Sequence, residues 1–488
     1  MRVLVTGANG YIGLRLIPQL LESGYSVIAM VRNKNRFPIQ NFESWKLQLV
    51  LIEGDFLKPE SLPNCDYLPK IDAAYYLLHS MGAGKDFPDQ EKSCARNFTE
   101  WLSPAHLGQV VYLGGISPHG STLSEHLESR AEVARILETG NAPLTTLRAS
   151  IIVGSGSASF EIIRDLVEKL PVMSTPKWTR TKCQPIAIRN VTGYLLGVID
   201  PKLRQHFFNG TFDIGGPQVL TYQTMLEDYA EVRGLRRFIV PVPFLSPRLS
   251  AYWLYFMTAT SFPLARALVS SLHIETTCEE SNIEELIPQQ LLGYKESIRL
   301  ALSVIAQNRV PSVWFNSLAS GKVDSRHICN IQIPEHGVLQ DLRESSLHTT
   351  REEVIAAVWK LGGELGWPSM DWAWRLRGLL DKCVGGSGMR RGRRDPHELS
   401  TGDALDFWRV ILADEEAGRL ILFAEMKLPG EAWLEFSVGP TSIKQRAVFR
   451  PRGLFGRIYW ICIFPFHLII FPRMLKQLSY GWKKKNQL

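Results

Sequence analysis

The chain has 488 residues, too many for one ordinary hydrophobic core, so two or three domains are expected. Apolar residues make up 45% and charged residues 21%, the balance of a folded protein, which excludes general disorder. The net charge of +7 is mild and its cations are mostly interspersed with anions, so nucleic acid is not an expected partner.

The first element is a short β-branched run, Val3, Leu4 and Val5, which reads as a buried strand. It runs into Thr6, Gly7, Asn9, Gly10, Tyr11, Ile12 and Gly13, and then into a helical apolar pattern at Leu16, Ile17, Leu20 and Leu21. Three glycines spaced three apart between a strand and a helix form the turn of a dinucleotide site. Gly7 permits the tight reversal, Gly10 clears a side chain where a pyrophosphate meets backbone, and Gly13 lets helix and strand lie close. The helix N-terminus then offers free N–H groups to the phosphates.

Residues 26–33 form a second strand, ending on Arg32 with Lys34 behind it and no Asp or Glu expected to compete there. A cation at this position accepts a 2'-phosphate, so NADP(H) is favoured over NAD(H). Residues 47–52 form a third strand, closing on Asp55 and Phe56, and residues 73–78 a fourth, closing on His79. Both strand ends fall on the ligand-binding edge of an open parallel sheet, where Asp55 could accept from the adenine amine and His79 either lines the nicotinamide side or is a plain loop histidine. A helix over 91–102, a strand over 109–113, a helix over 123–138 and a strand over 144–147 complete a doubly wound pattern.

On Thr6-Gly7-Ala8-Asn9-Gly10-Tyr11-Ile12-Gly13, Gly54-Asp55, Tyr112-Leu113-Gly114-Gly115 and the stretch from Leu147 to Gly156, the chain resembles the atypical, NmrA-like branch of the short-chain dehydrogenase/reductase superfamily. The resemblance covers about the first 300 residues and implies a Rossmann-type fold. Ordinary members use a Tyr, a Lys four residues later and a Ser after the fifth strand. Placing that frame here puts His126 at the Tyr position, Arg130 at the Lys position and Gly115 at the Ser position. His126 then stands as a candidate general acid, Arg130 as a binder of ribose or phosphate oxygens, and Ser117 as a substitute hydroxyl. An exposed, charge-paired helix is the other reading of this segment.

The segments 154–160 and 183–188 resemble a subgroup of that family and close the substrate side of its cleft. A strand and turn at 212–217 and an amphipathic helix over 221–233 follow. Residues 249–272 are apolar but punctuated by Pro263 and Arg266, which suits a lid or domain interface better than a membrane span.

The periodic pattern lapses over 311–325, the expected linker between a domain at 1–310 and another at 326–482. The second domain shows a helix over 351–361, then alternating strands at 420–426, 432–438 and 444–449, then an apolar segment at 458–471 read as a buried helix. That order resembles the START-like, helix-grip folds, an α+β class that encloses hydrophobic ligands, and the segments 367–394 and 402–409 resemble an uncharacterised domain attached to this reductase subgroup. The glycine- and arginine-rich stretch 385–394 could cradle an anion or be an ion-paired structural loop. Arg457, Arg473 and the basic tail 483–488 suit peripheral contact with an anionic membrane.

Seven cysteines without a Cys-x-x-Cys pair or a Cys/His cluster point to reduced thiols in a cytoplasmic setting and to no metal site. The glycine turn begins so soon after Met1 that no signal peptide is expected. The expectation is therefore an NADP(H)-binding oxidoreductase acting on a hydrophobic carbonyl or quinone-like compound. The alternative is a non-catalytic NADP(H) binder: a redox sensor, assembly factor or lipid-binding scaffold.

Overall fold

The computed structural model describes residues 1–482 except 35–36, 65–69, 79–86, 104–106, 118–123, 176, 242–268, 280–281, 307–337, 364, 385, 387, 389–392, 394, 396–397 and 452. The expected linker and most of the apolar run at 249–272 lie outside the described residues. Those that are described divide into two compact units, one up to residue 306 and one from residue 338.

The first unit is built on a seven-stranded parallel sheet. Its strands are β1 (Arg2–Thr6), β2 (Ser26–Val31), β3 (Leu49–Glu53), β4 (Ala73–Tyr76), β5 (Val110–Gly115), β6 (Leu144–Ala149) and β7 (Gly210–Ile214), in the order β3-β2-β1-β4-β5-β6-β7. Side chains alternate across each strand, so β1 feeds two cores. Val3 and Val5 pack with Leu16, Ile17 and Leu20 of α1 (Gly13–Glu22) and with Val191 and Leu195 of α5 (Ile188–Gly197). Leu4 faces the other side, with Ala95 and Phe98 of α2 (Phe87–Leu102) and Val133 and Leu137 of α3 (Glu125–Glu138). Helices on both faces make the sheet doubly wound, and the strand order reverses between β1 and β4. A crevice outside the carboxyl ends of the strands belongs at that reversal.

A smaller lobe of the same unit carries α4 (Ala158–Lys169), α6 (Tyr222–Val232) and α7 (Tyr294–Ala306) around a third core, including Phe160, Met225, Tyr229 and Ile298.

The second unit is an antiparallel sheet with helices. Its strands are β8 (Leu339–Ser346), β9 (Ala404–Leu405), β10 (Trp408–Asp414), β11 (Arg419–Ala424), β12 (Gly430–Val438) and β13 (Ser442–Pro451), in the order β8-β13-β12-β11-β10-β9. The first strand therefore pairs with the last, from Leu339 opposite Phe449 to Ser346 opposite Ser442. Between β8 and β9 come α8 (Arg351–Trp359) and α9 (Asp371–Cys383), and after β13 comes α10 (Gly453–Ser479). The core gathers Val354 and Val358 of α8, Leu434 and Phe436 of the sheet, Phe407 of the turn between β9 and β10, and Met474 and Leu478 of α10. Arg409 and Glu425, both fully buried, form an ion pair at 3.1 Å within it.

One sequence expectation changes here. The helix read over 458–471 extends at both ends, and mainly its last third is buried, while Phe455, Ile461 and Phe466 are exposed. Its apolar residues lie on every side, so periodicity could not tell a buried face from an open one. In the loop after α9, the Gly388 N–H donates to the Asp381 carboxylate at 2.9 Å. The described Arg393 guanidinium donates to the carbonyls of Leu361, Asp395 and Glu398. Among the described residues the loop's donors thus serve the protein's own oxygens, which is the structural-loop reading.

Candidate functional site

The glycine turn lies at the carboxyl end of β1. Gly7 adopts φ 65°, and a Cβ there would stand 2.8 Å from the Leu77 carbonyl oxygen just past β4. A Cβ on Gly13 would stand 2.6 Å from the Ala8 carbonyl oxygen and 2.7 Å from that of Gly7. At Gly10 the one neighbour within reach among the described residues is the Gly7 oxygen at 3.0 Å, and the residue is exposed. Two glycines are thus demanded by the protein's own packing, while the middle one leaves open space where a phosphate would approach backbone. The N-cap of α1, Ile12, provides no side-chain acceptor, and the first turn holds no acidic residue. The N–H groups of Leu14 and Arg15 already donate to the Gly10 and Ile12 carbonyls, so an anion there would meet the N–H groups before them and the positive end of the helix dipole.

The side chains around the turn build it more than they face outward. The Thr6 hydroxyl donates to the Tyr75 carbonyl at 2.9 Å and accepts from Leu77 N–H, tying β1 to β4. The Tyr11 hydroxyl lies where a Cβ on Gly154 would come within 2.5 Å, and the Arg15 guanidinium stacks 3.9 Å from its ring centre. Arg15 also donates to the carbonyls of Tyr11 and Ser155, both at 2.8 Å. Burial pushes the Tyr11 phenol up to about 12, so it stays protonated. Arg15 was not singled out in the sequence, although its i+4 spacing from Tyr11 on the following helix was the available signal. Asn9 is half-buried beside Gly10.

Arg32 and Lys34 are exposed just past the end of β2. The Lys34 N–H donates to a Glu53 carboxylate oxygen at 3.0 Å. An acid does therefore reach this turn, which corrects the expectation of none. It comes from the adjacent strand, where Glu53 pairs in register with Val31, and the parallel alignment of two strand tips was the signal for it. Asp55 is nearly buried, and one of its oxygens accepts from Leu57 N–H at 3.0 Å, which leaves the other for a ligand. The Phe56 ring packs edge-on against Phe98 and Trp101 in the core, so its contribution to a cofactor is limited to backbone. His79 lies outside the described residues.

At the end of β5, Gly114 lies against the Tyr112 ring and Gly115 against the Leu127 side chain, where a Cβ would come within 3.2 and 3.3 Å. His126 and Arg130 stand one turn apart on α3, which starts at an N-cap where the Ser124 hydroxyl accepts from Leu127 N–H. The Arg130 Nη1 donates to the Leu113 carbonyl at 3.1 Å, so its guanidinium is fixed at the tip of β5. Its Nε is buried with no hydrogen-bond partner among the described residues. Tyr112 is buried against Tyr76, and burial pushes its phenol up to about 12 despite the nearby Arg130. It is no replacement for the missing tyrosine. Ser117 is half-buried two residues beyond Gly115.

Deeper in the small lobe, the Gln184 side chain bridges the Gly216 carbonyl and the Cys278 N–H, at 2.8 and 3.0 Å. Arg148 at the end of β6 pairs with Asp213 of β7 at 2.6 Å. These contacts fix the segments around the cleft. Among the described residues no cluster of His, Cys, Asp or Glu could hold a metal ion.

Comparison with known proteins agrees with this geometry. Residues 7–152 match a family described as NAD(P)H-binding, and residues 334–474 match a family described as a protein of unknown function (DUF2867). No curated protein matches the sequence. Among solved structures, UDP-glucuronic acid 4-epimerase from Bacillus cereus, in complex with UDP-glucuronic acid and NAD, is similar at 16% identity and a TM-score of 0.47, over 63% of this chain and 99% of that one. UDP-glucose 4-epimerase from Thermotoga maritima is similar at 12% identity and 0.48, over 63% and 99%. An NAD-dependent NDP-hexosamine 5,6-dehydratase of tunicamycin biosynthesis is similar at 14% and 0.46, over 63% and 98%. The first unit is thus a nicotinamide-dinucleotide-binding domain of Rossmann type, and the second an α+β domain.

Proposed function

We propose that the protein is an NADP(H)-dependent oxidoreductase of the atypical, NmrA-like short-chain type, acting on a hydrophobic carbonyl or quinone-like compound. The observation that carries the cofactor half is the open α1 N-terminus behind Gly10, with Arg32 exposed at the next strand tip. The helix N-terminus would hold the pyrophosphate, Arg32 the 2'-phosphate and Asp55 the adenine amine. When bound, NADPH would supply a hydride to the carbonyl carbon. His126 would give a proton to the carbonyl oxygen, and Arg130 would bind a ribose or phosphate oxygen.

In the same reading the second unit is a helix-grip domain. Its support is the connectivity: first strand paired with last, two helices after the first strand, a meander, and a long terminal helix. The described cysteines, Cys94, Cys183, Cys278, Cys383 and Cys462, are free thiols, which supports a reducing, cytoplasmic setting.

A second reading is a protein that binds NADP(H) without turning it over. It is favoured by Gly115 in place of a serine and by the Arg130 Nη1 already committed to the Leu113 carbonyl. Calorimetric titration with NADPH and NADH, followed by NADPH oxidation against aldehydes, ketones and quinones, separates the two. Oxidation that falls in His126→Ala supports the enzyme, and binding with no oxidation supports the second reading. Failure to bind either nucleotide would sink both.

A further inference from the structure

Two helices of the second unit present apolar side chains on the side turned away from its core. On α9 these are Trp372, Leu376, Leu379 and Leu380, 47 to 60% exposed, at the i, i+4, i+7, i+8 spacing of one helical stripe. On α10 they are Ile458, Ile461, Phe466, Leu468 and Ile469, 47 to 69% exposed, with Phe455 at 81%. The two helices adjoin, since the Arg377 Nη2 donates to the Tyr459 hydroxyl at 2.9 Å. Scattered apolar residues on a surface need no explanation, but two neighbouring stripes do.

By length and composition α10 could cross a membrane, with a mean hydropathy of 1.7 over its most apolar window. Its anchoring argues against that. Ile470, Phe471, Met474, Leu475 and Leu478 are locked into the domain core. The exposed part, 455–469, is roughly 15 residues and about 22 Å long, short of the ~30 Å hydrocarbon layer. The helix can lie on a bilayer but not span it.

Charge selects the occupant. Residues 453–488 contain Arg457, Arg473, Lys476, Lys483, Lys484 and Lys485 and no Asp or Glu. Arg457, Arg473 and Lys476 are exposed along the same helix. A second copy docked through this face would bring like charges together. An apolar stripe edged by cations instead matches an anionic lipid surface, where each cation near the headgroups adds about 1 kcal/mol. We propose that the α9–α10 face is a monotopic docking surface for an anionic bilayer. This inference is independent of the dinucleotide site.

Flotation of the full chain with vesicles of phosphatidylcholine containing about 30% phosphatidylglycerol tests it, against vesicles of phosphatidylcholine alone. The protein should float with the anionic vesicles and bind the neutral ones at least about tenfold more weakly. The double variant Leu376→Glu/Ile461→Glu places charge at two exposed positions. It should lose at least about tenfold in binding with its unfolding temperature and circular dichroism unchanged. Arg457→Gln/Arg473→Gln keeps the stripe and should weaken binding to anionic vesicles only. Wild-type protein that does not float, or a glutamate variant that floats equally well, would overturn the proposal. So would a wild-type dimer that the glutamate variant dissolves while neither protein binds lipid.

Discussion

Arg32 and Glu53 compete for the character of one small turn, and the competition can be measured. Both are exposed, so solvent and salt screen them and their effects are modest fold-changes. Arg32→Ala should weaken NADPH at least about tenfold and leave NADH within about twofold, while Glu53→Gln should strengthen NADPH about threefold. Equal loss of both nucleotides in Arg32→Ala would show that Arg32 is not the partner of the 2'-phosphate. In the second unit a single buried carboxyl makes a different claim. Asp406 sits at φ 53° and accepts from Trp367 Nε1–H at 2.9 Å and from Gly363 N–H at 3.3 Å. Burial pushes its carboxyl from 3.8 up to about 7, against the pull of those two donors and with Asp371 adding to the rise. A folded-state value above the unfolded one means that the folded state binds the extra proton between them. The associated stability is therefore fully present below about pH 4 and is lost as pH climbs to about 7. Asp406→Asn, which tolerates the left-handed backbone, should flatten that slope in the unfolding midpoint of the second unit. A slope that persists in the variant would assign the titration to another group.

At the scale of the element, the glycine turn separates folding from binding. Gly13→Ala forces a Cβ against two carbonyl oxygens at 2.6 and 2.7 Å, and neither can retreat without moving α1 off β1. It should lower the unfolding midpoint of the first unit by several degrees, in line with roughly 1–3 kcal/mol for overpacking. Gly10→Ala meets a single oxygen at 3.0 Å, so the fold should persist while NADPH affinity falls at least about tenfold. Measuring both quantities in both variants checks the assignment, and a Gly10→Ala protein with normal affinity would remove the phosphate from this turn. Such local features were legible in the sequence because they are local. Glycine spacing, β-branched runs and helical periodicity marked β1, α1, β2 and the alternation through β6. Long-range pairing was not legible. β8, with the sequence Leu339-Gln-Asp-Leu-Arg-Glu-Ser-Ser346, exposes alternate residues and becomes a strand only by pairing with β13 about a hundred residues later. Glu53 reached the Arg32 turn through strand register. The half-burial of α10 depends on which of its uniformly apolar sides meets the sheet.

At the scale of the whole molecule, the chain combines two kinds of architecture with separate cores. The first core is shared by a parallel sheet and its crossover helices, the second by an antiparallel sheet and its helices. Each unit is of a size to fold cooperatively, so the full chain should unfold in two steps rather than one. A ligand stabilises only what it binds. At a hundredfold excess over its dissociation constant NADPH contributes about 2.7 kcal/mol to the unit that holds it and nothing to the other. Scanning calorimetry of the full chain with and without NADPH should therefore show one transition moving up by a few degrees while the second stays in place. The Asp406→Asn variant supplies the complementary label, because its changed pH response belongs to the transition that NADPH leaves alone. If NADPH shifts both transitions together, the two units unfold as one, and the two-core description gives way to a single cooperative molecule.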